Sequence, residues 1–355
     1  MKDTKKLSTE WDKRFSNVFE LSKYAANHTI EIKDSTIQGY DISKAKINIM
    51  MMTNTTWDNV TARLLDANLV AFKGGTLTKV NFAQSNIKSM TFEDVLIEDV
   101  GFVGSNITNL TFKKCKIARS RIRNLKKSQV TFINTQVLDS EFFDSEVIFK
   151  AEHSSFDLAQ AQHGTFENLQ PGSSIELIDT SLNDANVGGT LTSFKAKGGS
   201  IIKVGIGENI KDVVFDGVEL EMSMGGVIDS LTVKDSKITR MGIGEMKINH
   251  LTVEDCQPSN LLSLARGQYN TVEINNCTLQ TFKPRRLTAN EFTLRNSQFD
   301  NTLMHNSNIN QLNFKNVTFK NARFDNTIAK ESNINGVKLI EGGVFNLSGT
   351  NIPLQ

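Results

Sequence analysis

The side chains of this 355-residue chain best placed to do chemistry are its five histidines, its three cysteines, one basic run and a set of glycine–methionine fragments. His28, His153, His163, His250 and His305 share no spacing that would bring imidazoles onto one metal ion. Cys115, Cys256 and Cys277 lack CxxC spacing, so they frame neither a zinc site nor a disulfide scaffold. Nothing in the order of the chain forces a Ser/His/Asp or Cys/His set together. Gly205-Ile206-Gly207 lacks the third glycine of a dinucleotide-binding turn and follows no strand-to-helix unit, so no phosphate site is inferred from it. Lys113, Lys114, Lys116, Arg119, Arg121, Arg123, Lys126 and Lys127 have no acid among them between Asp99 and Asp139, the composition of a phosphate-binding patch. Val204–Glu208, Met222–Gly226 and Met241–Glu245 repeat glycine with methionine or another apolar residue.

What these residues can do depends on the elements that carry them, and one period dominates those elements. From Ile32 to Val147, every fifth residue is apolar except Lys127: 24 positions with one exception, in a chain that is 39% apolar overall. A helix repeats every 3.6 residues and a strand every 2, so a five-step means that the chain turns a corner after each quintet. Two residues before each large apolar stands a smaller one, as at Ser85, Val95, Ser105, Cys115, Ser120 and Thr135, and none of these positions is charged. A small and a large residue thus share each inward face of a narrow, close-packed interior. Asn often stands between them, as in Ser85-Asn86-Ile87 and Ser105-Asn106-Ile107. Ala62-Arg63-Leu64 and Ala67-Asn68-Leu69 suggest a two-residue slip before the phase returns at Phe72.

This small-Asn-large quintet resembles the pentapeptide-repeat family, over residues 32–147 and again over 294–344. The resemblance implies a right-handed quadrilateral parallel β-helix, and end-to-end dimers of the kind that family members form. Thr91-Phe92, Thr111-Phe112 and Thr131-Phe132 recur 20 apart, so four quintets make one coil. The expectation is an all-β chain: a right-handed parallel β-helix (solenoid) of about 16 coils, roughly 75 to 80 Å long at roughly 4.8 Å per coil. Residues 1–30 form an N-terminal amphipathic helix and cap, in which Trp11, Phe15, Val18 and Phe19 fall at helical spacing after Ser8 or Thr9. Residues 31–355 form a single β-helix domain, with regular quintets over 32–147 and 294–354 and looser, glycine-rich coils over 148–293. The last coil has no comparable cap and offers a homodimer contact, although Pro353 can blunt pairing there.

Stacking at 20 residues changes the reading of the candidate sites. Lys113 falls over Glu93, Lys114 over Asp94, Arg119 between Asp99 and Asp139, Arg121 under Glu141 and Lys126 under Glu146. That is a cross-coil charge ladder, with Lys116, Arg123 and Lys127 left over. The cysteines take small inward slots as packed thiols. His153 and His163, ten apart, face opposite ways. Asp94 with Asp99, or Asp139 with Glu141, could pair as the carboxylates of a polysaccharide-cleaving β-helix enzyme. The glycine–methionine fragments stack into a strip along one edge. Glycine there serves corners that need left-handed backbone, or else the strip, with Met222, Met224, Gly225, Met241, Gly242 and Gly244, is a low-relief surface for a protein partner.

Forty basic against 39 acidic residues leave a net charge of +1, so no global field steers the chain to nucleic acid or anionic lipid. No apolar run approaches a membrane span, and the Met1–Lys6 start leads into no apolar signal core. A cytoplasmic protein is expected, with export by an uncleaved signal, or as an effector, the alternative. No catalytic residue, cofactor or metal is assigned. The function expected is a non-enzymatic binding scaffold, an effector or a component of a larger assembly. The alternatives are the DNA-mimicking, topoisomerase-binding type of pentapeptide-repeat protein and a carbohydrate-active β-helix enzyme.

Overall fold

The computed structural model describes residues 18–159, 166–340 and 344–348. Among them every strand pairing is parallel, and the chain winds as a right-handed β-solenoid of about 15 turns, one fewer than the sequence suggests. Two compact units, residues 1–180 and 181–355, divide it.

In the first unit the register is 20 residues over the earlier coils, and becomes 19 where Ser128 pairs with Val147 and 26 where Ile148 pairs with Ser174. Lys46 pairs with Asp66, Asp66 with Asn86, and Asn86 with Asn106. Each coil therefore lays a side chain on the equivalent one below. Phe72, Phe92, Phe112 and Phe132 form a stack at centroid distances of 5.2, 5.1 and 4.9 Å, with near-parallel rings. Phe82 and Phe102 continue a second stack at 5.5 Å. The small inward slots staple coil to coil: Ser105 Oγ accepts from the Ser85 amide at 3.2 Å and donates to the Phe82 carbonyl at 2.7 Å. Each such bond satisfies backbone that would otherwise be buried unpaired. Cys115 occupies one of these slots, and burial pushes its thiol up to about 11.

The slip expected at residues 62–69 does not occur. Ala62 and Ala67 hold the large slot and Leu65 the small one, all buried, while Leu64 points outward at a left-handed corner with φ 57°. Size, not phase, is exchanged between the two slots. Lys127, the exception to the five-step, is exposed at φ 50°, and Ser128 is buried beside it.

Outward amides form ladders. Asn106 donates to Asn86 at 3.0 Å and Asn86 to Asp66 at 3.1 Å. In the second unit Asn310 donates to Asn290 at 2.8 Å and Asn290 to Asn270 at 2.9 Å.

The charge ladder keeps the expected Lys113–Glu93 pair and takes different partners elsewhere. Glu93 lies between Lys73 at 3.9 Å and Lys113 at 3.6 Å, and Arg119 meets Glu98. Arg123, expected to be left over, pairs with Glu141 at 3.5 Å and lies over the Phe143 ring at 5.1 Å. Glu141 is 6% exposed, so this pair is largely withdrawn from water.

The only helix described, α1 (Val18–Ala25), buries Leu21 and Ala25, and Ser22 Oγ accepts from the Lys46 amide at 2.9 Å. Trp11, Phe15 and the expected N-cap lie outside the described residues, as does the C-terminal coil around Pro353. In the second unit the 20-residue register runs from Gln268 through Thr288 and Asn308 to Ile328. The quintet expected to loosen there is intact from Leu231 to Cys256: Val233, Ser236, Ile238, Met241, Ile243, Met246, Ile248, Leu251, Val253 and Cys256 are all buried, and one extra residue before the buried Ser259 then shifts the phase. Coil length varies on both sides of 20: Thr190 pairs with Asn209 and Asn209 with Val227, steps of 19 and 18, and Lys247 pairs with Gln268, a step of 21.

Truncating Phe102 to Ala should cost about 3–5 kcal/mol by opening a cavity in a closed ring stack. Asn109→Ala, on the outer face, should cost under ~0.5 kcal/mol. Denaturant titration of the two variants checks this, and equal losses would place the wrong face inside. Glu141→Ala should cost about 1–3 kcal/mol because it strands the half-buried Arg123 guanidinium. A double-mutant cycle with Arg123→Ala should recover part of that loss, whereas simple additivity would mean the two side chains do not interact.

Candidate functional site

The inward phase decides which of the strip residues can meet a partner. Met241 stands ten residues after Leu231 and Met246 ten after Ser236, both inward slots, and their side chains are 0% and 3% exposed. Leu220, Met222 and Met224 alternate inward along one strand, leaving Met222 5% and Met224 4% exposed. A register shift between Met224 and Gly226 accommodates them in the shorter coil. The expected methionine edge is therefore corrected: these side chains fill the core. The five-step counted back from Val253 (Ile248, Ile243, Ile238, each preceded by its partner two residues earlier) carries that information in the sequence.

The glycines behave differently. Gly225, Gly242 and Gly244 are half-buried on the outer face. Backbone pairing places Gly205 beside Ser223, Ser223 beside Gly242, and Gly242 beside Ser263. A parallel column holds Gly207, Gly225, Gly244 and Ala265: a Cβ on Gly207 would stand 3.8 Å from the Gly225 carbonyl oxygen, one on Gly225 would stand 3.9 Å from that of Gly244, and Gly244 pairs with Ala265. Between the columns, Ile206, Met224, Ile243 and Leu264 point into the core. The product is a shallow trough over four coils of the second unit, roughly 14 Å long at about 4.8 Å per coil. Its floor is backbone and small side chains on a rigid apolar base. Sequence spacing located these glycines but not the serines and alanine that continue their columns.

The next coil ends the trough abruptly. Ser263 is followed in its column by Lys283, and Ala265 by Arg285 and then His305. Arg285 and His305, with Arg266 and Arg286 at the adjoining corner, bound a groove of about 520 Å³ that reaches back to Gly244 and Glu245. Arg266 is engaged by Glu245 at 2.6 Å. Arg323 in the same unit bonds Asp325, one coil beyond His305. Lys283, Arg285 and Arg286 have no carboxylate partner among the described residues. Glu245 lines the same groove as the arginines, and Glu221 pairs in register with Arg240, so both signs of charge border the trough. None of the basic residues at this wall was singled out in the sequence. Counting five from Phe282 would have placed Lys283, Arg285 and Arg286 outside.

Other candidates do not gather into a site. His250 Nδ1 lies 2.9 Å from Thr271 Oγ1 and His153 lies 3.7 Å from Asp179, each a local contact, and His163 lies outside the described residues. Cys256 and Cys277 are fully buried. Among the described residues, no cluster of three or more His, Cys, Asp or Glu could hold a metal ion, and no helix is long and apolar enough to cross a membrane. No protein-family model matches the chain, and no curated protein matches it.

Glycine is required at some of these positions and free at others, which makes the trough testable without disturbing the fold. A Cβ on Gly242 or Gly244 meets nothing within 4 Å, and neither has positive φ. Gly226 has φ 96°, and its Cβ would stand 2.3 Å from the Glu208 carbonyl oxygen. Gly242→Leu and Gly244→Leu should leave the melting temperature within about 2 °C of the parent, whereas Gly226→Ala should cost at least ~1 kcal/mol. Thermal melts followed by circular dichroism decide it, and a collapse of Gly242→Leu would show that the trough floor is structural.

Proposed function

We propose that this chain is a non-enzymatic binding protein of the pentapeptide-repeat type, whose β-solenoid holds the glycine–serine–alanine trough of the second unit rigid for a protein partner. The observation that carries this function is the trough itself: eight small residues at equivalent outward positions of four consecutive coils, where the coils that follow carry Lys283, Arg285, His305, Arg323 and Asp325. A surface of this kind presents backbone to an incoming chain and costs little side-chain entropy on contact. Family membership is supported by the buried two-plus-three spacing, the hydroxyl staples of the small slots and the outward Asn ladders.

A DNA-mimicking role would need an acidic face, whereas the first unit interleaves its charges from coil to coil, as in Lys73–Glu93–Lys113. Of the two carboxylate pairs expected for the polysaccharide-cleaving alternative, Asp139 with Glu141 has its glutamate engaged by Arg123.

Gly242→Leu and Gly244→Leu place a side chain in the trough at positions where a Cβ meets nothing within 4 Å. Tagged wild-type and variant proteins used in parallel captures from native cells should recover the same background, with the specific partner lost from both variants. Identical recovery by all three would move the docking surface elsewhere on the molecule.

A further inference from the structure

Asn is abundant in this chain, yet only Asn335 is followed by glycine; most of the others precede Ile, Leu, Val, Phe or Thr, whose side chains crowd the adjoining amide. The fold sets that glycine. Asn276, Asn296, Asn316 and Gly336 take the same left-handed corner of four successive coils, at φ 51°, 48°, 55° and 65°. A Cβ on Gly336 would stand 2.6 Å from Asn316 Oδ1. Glycine relieves that contact and leaves an unhindered peptide nitrogen beside the Asn335 side chain.

The surroundings favour attack by that nitrogen. Asn275, Arg295, Lys315 and Asn335 form one outward column, so Asn275 holds the equivalent place three coils earlier. Its amide is engaged on both sides, Nδ2 donating to Glu254 at 3.5 Å and Oδ1 accepting from Asn296 at 3.3 Å. The Asn335 side chain is exposed and makes no hydrogen bond among the described residues, so its amide carbon is free to turn toward the Gly336 nitrogen. It lines an open groove of about 690 Å³ that admits water. Lys315, its neighbour in the column, lies in the same groove and supplies a positive field for a nitrogen anion.

We propose that Asn335 is a site of spontaneous deamidation, which places a carboxylate beside Lys315 and in part reroutes the main chain. The Gly336 nitrogen loses its proton to hydroxide and attacks Asn335 Cγ. A new Cγ–N bond closes a succinimide ring, and the side-chain nitrogen leaves as ammonia after taking a proton from water. Water then opens the ring, so the net change is one water consumed and one ammonia released. Cleavage of the new bond gives aspartate. Cleavage of the original peptide bond gives isoaspartate, in which the chain runs through Cβ and Cγ and is one methylene longer. The Asn335 carbonyl that accepts from the Asn316 amide at 2.9 Å then belongs to a free carboxylate, and the register shifts beyond the corner.

The full-length folded protein, aged at mildly alkaline pH in water enriched in heavy oxygen and then digested in acid, tests this by peptide mass spectrometry. Labelled carboxylate should accumulate at position 335 about tenfold or more faster than at Asn275 or any other Asn, and more slowly at neutral pH. Asn335→Gln, which would have to close a larger ring, should stay unlabelled there. If position 335 is labelled only when the chain is unfolded in urea, or if another Asn reacts faster in the folded chain, the proposal falls. Hydrogen exchange at the Asn316 amide separates the two products. Asn335→Asp should keep its protection, whereas the aged fraction rich in isoaspartate should lose about tenfold or more of it. Unchanged exchange in that fraction would overturn the rerouting.

Discussion

The constraint on which everything else depends is vertical register. Parallel coils about 20 residues long lay each residue on its equivalent in the coil below, so an inward slot is judged against copies of itself and not against a diverse core. Aromatic rings stack on aromatic rings, hydroxyls bond the backbone of the preceding coil, and Asn bonds Asn. A displacement by one residue would put a large side chain on a small one and an outward polar residue into the interior, which a column of full slots opposes at every level. Backbone pairing alone would tolerate slippage; the side-chain columns do not.

That division of labour frees the outer face. The inward positions hold the fold, and outward ones are bound only by local rules: left-handed corners, mostly filled by Asn, Asp, Lys or Arg, and cross-coil charge pairs. An outward column can therefore become flat, as at Gly205–Ser263, and then basic, as at Lys283, with no change in what lies beneath. The trough and its wall are a local rewriting of surface over an unaltered interior.

The inward phase was legible because it is periodic. The five-step located the core through most of the first unit, and 20-residue stacking placed Lys113 on Glu93 as found. Three readings went astray, two of them where size or hydrophobicity was trusted over phase. Leu64 looked like a core residue and points to solvent, while Ala62 and Leu65 sit inside. The methionines of the glycine region looked like a surface edge because glycine surrounds them, yet the count from Val253 sends Met241 and Met246 inward. Arg123 seemed unpaired because stacking was considered only at one position per coil, whereas its side chain crosses to Glu141 from two residues along. The basic wall was missed for another reason: a cluster of cations at Lys283–Arg286 is ordinary in sequence, and it becomes distinctive only when the small residues before it in the columns are seen.

The Asn ladders carry a direction. In each, the side chain of the later coil donates its Nδ2 to an oxygen of the earlier one, so the amide dipoles point head to tail along the stack. Where the donor end of a rung meets a carboxylate, the acid belongs to the preceding coil: Asp34 below Asn54, Asp66 below Asn86, Asp229 below Asn249, Asp255 below Asn276 and Glu254 below Asn275. Each such column behaves like a short helix laid on its side along the surface, with a partial positive pole that an acid neutralises. A solenoid built of nearly identical turns thereby acquires an electrical polarity that tells its two directions apart.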